Sequence, residues 1–146
     1  MKKRAFIVSA IASAALCSAG LAMAQDKFKI GLILPMTGPF ASTGKQIEAA
    51  ARLYIAQNGD TVGGKKVELI VKDDTSAPDV TKRIAQELVV NDKVNVLAGF
   101  GLTPLALATA PIATQSKTPL VVMAAATSSI TEASPFIIRT SFTLPQ

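Results

Sequence analysis

The segment Gly99-Phe100-Gly101-Leu102-Thr103-Pro104 carries the clearest binding chemistry in the chain. Two glycines two positions apart, Gly99 and Gly101, let the backbone approach a ligand, since neither presents a Cβ. The residue types predict a helix start here, with Thr103 as N-cap and Pro104 as the first helical residue. A helix start offers unpaired N–H groups and partial positive charge, which suits a carboxylate or a phosphate. The Thr103 hydroxyl adds a hydrogen bond from the same spot. It would serve equally well to cap its own helix, so residue type alone leaves both roles open. As a dinucleotide fingerprint the Gly-x-Gly pair is weak: it lacks the third glycine and follows a third strand, not a first.

A second small, polar loop, Ala124-Ala125-Ala126-Thr127-Ser128-Ser129, exposes backbone N–H and C=O groups to whatever lies beside it. A tight connection with solvated hydroxyls explains it as well. Asp73-Asp74 suggests a metal or phospho-acceptor pair, but no third carboxylate is close in sequence, and loop hydrogen bonds account for the pair better. Lys65-Lys66 after Gly63-Gly64 reads as a solvated turn. Phe40 sits in a candidate site loop and Tyr54 on a helix face. With no His, no Trp, one Cys and one Tyr, the composition excludes His-based acid/base catalysis, thiolate zinc sites, disulfide frameworks and aromatic nucleic-acid platforms. No cofactor is called for.

The elements that would position these loops follow from periodicity. Apolar runs at 28–34, 67–72, 94–98, 120–123 and 136–139 read as five strands. Thr43 with Gln46 is a capping-box pattern, and Ile47, Ala50, Ala51 and Tyr54 continue it at helical spacing to Asn58-Gly59. Ser76 with Asp79, and Pro78 between them, starts a second helix with Val80, Ile84 and Leu88 inward and Lys82, Arg83 and Glu87 outward. Pro111 should kink or split the third helix. Strand and helix alternate, which predicts an α/β fold, a doubly wound parallel sheet with helices on both faces. Near-continuous apolar strands agree with burial on both sides. Right-handed crossovers then bring loops 35–43, 73–77, 99–104 and 124–132 to the carboxyl edge, where open α/β sheets bind ligands.

Length and charge set the frame. At 146 residues the chain is about one domain. Hydrophobic residues at 49% against 17% charged rule out general disorder. Of the net charge of +5, three charges come from Lys2, Lys3 and Arg4, so no basic field for nucleic acid remains beyond them. Those three charges, an uncharged stretch from Ala5 to Ala24 and the small-x-small close Ala22-Met23-Ala24 predict a secretory leader cleaved after Ala24. Cys17 follows Leu16, not the small residue that lipoprotein processing wants, so it reads as part of that leader. Domain organisation is then 1–24 leader and 25–146 a single α/β domain.

The order of motifs resembles the type I periplasmic solute-binding proteins of ABC importers, the branched-chain-amino-acid-binding, leucine-binding-like family. The resemblance rests on Lys29-Ile30-Gly31, the loop Pro35 to Gly44, Asp73-Asp74, Gly99, Ala124-Ala125-Ala126-Thr127 with Ile130-Thr131, and Ile138-Arg139-Thr140. It implies a flavodoxin-like strand order and a first lobe truncated before the second. It implies that the Thr103 hydroxyl binds a ligand carboxylate and that backbone groups of Ala125 and Thr127 hold carboxylate and amino groups. Thr43 would contribute from the first loop, with Phe40, Leu102 and Ala126 beside them. It implies a periplasmic, non-enzymatic receptor for a branched-chain amino acid or similar small carboxylate, partnered by an inner-membrane permease. Leu102 and Pro104 around Thr103, and a non-aromatic Thr43, depart from the amino-acid-binding pattern and leave room for an aromatic or other organic acid. An enzyme of doubly wound fold and the ligand-sensing domain of a receptor or regulator are the rival readings.

Overall fold

The central strand β1, Phe28–Leu34, is buried from Gly31 onward on both of its faces in a computed structural model that describes residues 27–144. The expected leader and its cleavage point lie outside the described residues. After β1 come α1 (Ala41–Asn58), the two-residue β2 (Thr61–Val62) and β3 (Lys65–Asp73). Then follow α2 (Pro78–Val90), β4 (Val96–Gly99), α3 (Thr103–Ser116), β5 (Leu120–Val122), a 3-10 turn at Ser128–Glu132 and β6 (Ile137–Arg139). The sheet order is β2-β3-β1-β4-β5-β6, parallel except for the β2–β3 hairpin. Without β2, the five expected strands stand in the order second, first, third, fourth, fifth, which is the flavodoxin-like arrangement. β2 escaped the sequence reading because two exposed residues carry no periodicity.

The two faces of the sheet are covered unequally. On one, α2 and α3 bury Ile33, Leu97, Leu120 and Val122 of the sheet with their own Ile84, Leu88, Leu105, Ala106 and Ala113. On the other, α1 lies alone over a small core of Leu32, Leu34 and Ala98. Ile47 and Ala51 are half-buried there, while Ala50 and Tyr54 of the expected stripe face solvent. Beneath α1 a cavity of about 360 Å³ opens among Ile30, Leu69, Val96, Val121 and Met123. No helix among the described residues is long and apolar enough to cross a membrane.

Three helix starts differ from expectation. α1 begins at Ala41, with Phe40 in the cap position, so Thr43 lies inside the first turn and Gln46 reaches Ser42 instead. α2 is capped by Ala77 with Pro78 at its first position, and Ser76 stays in the preceding loop at positive φ. α3 is preceded by Leu102, and Thr103 is already helical. Only the Thr103 hydroxyl finds a tertiary partner, in Thr127; Thr43 stays exposed, and the Ser76 hydroxyl is buried without a hydrogen-bond partner. α3 also runs unbroken through Pro111. Pro111 is exposed, so water can take the carbonyl that its missing N–H leaves free.

Candidate ligand-binding site

Register aligns the strand ends in one row across the sheet. Lys72 stands opposite Ile33, Ile33 opposite Gly99, Gly99 opposite Val122, and Val122 opposite Arg139. Every loop leaving that row starts on the same edge, and hydrogen bonds tie each to the next. The Asp73 carboxylate accepts from Met36 N at 2.9 Å, Thr37 Oγ1 at 2.7 Å and Thr75 N at 2.9 Å. The first helix seats on the same loop at Gly44, where a Cβ would lie 2.2 Å from the Pro35 carbonyl oxygen. Met123 N donates to Gly99 O at 2.8 Å and Ala125 N to Phe100 O at 3.0 Å, which joins the third loop to the fourth. The four loops are neighbours, as the alternation of elements predicts.

Gly99 makes this approach possible. Its φ is +115°, and an added Cβ would stand 2.1 Å from the Ile33 carbonyl oxygen. The backbone then turns through Phe100, whose φ of 64° is paired with a fully buried ring. That turn delivers Thr103 to the edge.

Thr103 and Thr127 meet there: their hydroxyl oxygens are 2.7 Å apart, and both residues are half-buried. The Thr103 hydroxyl therefore engages the neighbouring loop and does not cap α3, which settles one of its two alternatives. The helix start is a smaller donor array than a bare N-terminus. Pro104 has no N–H, and Leu105 N and Ala106 N both turn back to Leu102 O. Thr103 N–H remains as the outward donor of the first turn. Ala126 is half-buried beside the pair, whereas Ala125 is buried and its N–H is taken by Phe100. Leu102 packs its side chain on the main core. Phe40, 44% exposed, and Thr43, also exposed, sit at the head of α1 and make no hydrogen bond to the pair.

Charge is distributed along the edge. Burial opposes ionisation of Asp73, but the bonds from Thr37, Thr75 and Met36 outweigh it and hold the carboxyl below its ordinary range. Burial pushes the fully buried Asp74 up, and the Ser76 N–H that it accepts only partly offsets this. At the far end Arg139 donates from Nη2 to the Thr127 carbonyl. Its Nε and Nη1 are buried with no hydrogen-bond partner. Residue types alone did not single out this arginine, because its role depends on a contact between two separate loops. No group of three metal-ligating side chains occurs among the described residues.

Comparisons with known proteins identify the family. The family described as periplasmic binding protein matches residues 27–146. The Leu/Ile/Val-binding protein homolog 6 of Brucella abortus is 47% identical over 144 residues, 98% of this chain and 36% of its own length. A solute-binding protein of an ABC transporter from Rhodopseudomonas palustris BisB5, solved with 3,4-dihydroxybenzoic acid, is 70% identical. It superposes with a TM-score of 0.81 over 82% of this chain and 33% of that one. Another from R. palustris, solved with 4-hydroxybenzoate, is 46% identical with a TM-score of 0.78, over 81% of this chain and 32% of that one. The chain thus spans about a third of the length of the relatives it matches. With the doubly wound sheet, its carboxyl-edge loops and this match across all described residues, the chain belongs to the type I periplasmic binding proteins of the ABC transporter family.

Proposed function

We propose that residues 25–146 form the first lobe of the substrate-binding component of an ABC importer, holding a small carboxylate on the carboxyl edge of the sheet. The observation that carries this reading is the Thr103–Thr127 hydroxyl pair. One hydroxyl donates to the other, and because either can be that donor, the remaining O–H is free to turn to an arriving carboxylate without any backbone movement. Thr103 N–H adds a second donor. Ala126 and the backbone of Thr127 form the floor beside them, Ala125 supports it from beneath, and Leu102, Phe40 and Thr43 are the further residues of this lobe's wall.

An aromatic acid is the favoured class. The relative at 70% identity holds 3,4-dihydroxybenzoic acid, and the one at 46% holds 4-hydroxybenzoate. The loops that carry the hydroxyl pair support the same choice: from Lys93 to Gln146 the only acidic residue is Glu132, and the Asp73 carboxylate on the same edge is already engaged by Met36, Thr37 and Thr75. A branched-chain amino acid is the second reading, favoured by the name of the Brucella relative. In either case the receptor works in the periplasm, with its leader removed after Ala24, and docks on an inner-membrane permease. A second lobe closes over the solute by hinge motion. No step calls for a cofactor or a catalytic residue.

Calorimetry on the two-lobed protein with 3,4-dihydroxybenzoate and with leucine tests this. Thr103→Val keeps the shape and removes the hydroxyl, so affinity should fall by roughly ten- to a hundredfold, about 1.5–3 kcal/mol. Undiminished binding would remove Thr103 from the site. Tighter binding of leucine than of the dihydroxy acid would select the second reading.

A further inference from the structure

Arg139 ends β6, the outer strand of the sheet, and its guanidinium reaches back across the edge to the Thr127 carbonyl. That carbonyl also accepts from Ile130 N at 3.2 Å, so the arginine and the 3-10 turn together fix the peptide carrying Thr127. The hydroxyl of the same residue meets Thr103. One residue therefore separates the guanidinium from the proposed carboxylate cradle.

The charge on Arg139 has no counterion among the described residues. It forms no ion pair, and its Nε and Nη1 lie buried without an acceptor. The elements packed around it offer none: β4, α3, β5 and the loops between them contain no Asp or Glu, and Glu132 is exposed on the 3-10 turn. Arg139 is half-buried and keeps one carbonyl acceptor, but two buried guanidinium nitrogens without acceptors are costly to keep. An anion bound at the adjoining hydroxyls recovers part of that cost through a partly desolvated medium, where charge–charge attraction is several times stronger than in bulk water.

We infer that Arg139 is a selectivity-determining positioning residue: fixed on the Thr127 carbonyl, its uncompensated charge makes the hydroxyl pair prefer an ionised carboxylate over a neutral group of the same shape. The hydroxyls alone would not draw this distinction, because they donate to a carboxylate and to a carboxamide oxygen alike. The inference rests on the reading that Thr103 and Thr127 face the solute.

The test titrates the two-lobed protein with 4-hydroxybenzoate and with 4-hydroxybenzamide, following amide shifts by NMR so that weak binding is also readable. The unaltered protein should favour the anion. Arg139→Gln should lower the anion-to-amide preference about tenfold. Arg139→Lys, which keeps the charge and loses the planar fork, should retain most of the preference. Equal loss of both ligands in Arg139→Gln, or an unchanged preference, would overturn the inference and leave the carboxylate site standing. Should Arg139→Gln fail to fold, Arg139→Lys decides, and a preference that vanishes there overturns the inference. If the unaltered protein binds neither compound, the site reading itself falls and takes this inference with it.

Discussion

Gly99→Ala is the sharpest structural test of how the site is held. The new Cβ would stand 2.1 Å from the Ile33 carbonyl oxygen and 3.1 Å from a Leu34 methyl. An ordinary contact needs about 3.4 Å, so the end of β4 must move away from β1 by more than about 1 Å. The atom it meets is backbone in a central strand and cannot swing aside. Moving β4 loosens the Phe100 N to Ile33 O bond of 3.0 Å and the Met123 N to Gly99 O bond of 2.8 Å. Two weakened hydrogen bonds at about 1 kcal/mol each, with about 1–3 kcal/mol for a side chain at a φ that only glycine adopts readily, give a loss of roughly 3–5 kcal/mol. Gly38→Ala is the control. Its φ is +75°, but nothing lies within 4 Å of the added Cβ, so only the left-handed conformation costs, about 1–2 kcal/mol. Urea unfolding of residues 25–146 followed by circular dichroism reads both. Equal losses in the two variants would refute the claim that close approach, and not φ alone, demands glycine at the strand end.

The paired aspartates should act in opposite pH windows. Asp74 holds its proton more tightly folded than unfolded, so its contribution to stability falls as pH rises from 3.8 through its raised folded value and is flat above; Asp74→Asn should erase that slope in urea midpoints. Asp73 is depressed, so its contribution is full above 3.8 and is lost as pH falls through its folded value; Asp73→Asn should remove this acid-side loss. A slope that survives both changes would mean that other groups govern it. The thinly covered face around α1, with Leu53 57% and Tyr54 68% exposed beside the apolar cavity, should make the isolated lobe self-associate. Sedimentation should show mass rising with concentration, and Tyr54→Lys should reduce it; a monomer throughout would show that α1 alone suffices.

Much of this protein is legible in its sequence, because its strongest signals are local. Apolar runs bounded by Gly, Pro and Asp fix the five parallel strands, and the helices between them leave only parallel pairing with right-handed crossovers. The carboxyl edge and its four loops follow without further information. The motif order also identifies the family that the comparisons show. The helix starts are not legible in this way: Thr43, Ser76 and Thr103 carry capping side chains, but a cap is worth only about 1 kcal/mol, and none of the three caps its helix. The Thr103 hydroxyl reaches Thr127, 24 residues away. The burial of Asp74, the unpartnered guanidinium of Arg139 and the uneven cover of the two sheet faces likewise depend on contacts between distant segments. Periodicity reports which residues share a face, and only the folded chain decides what that face meets.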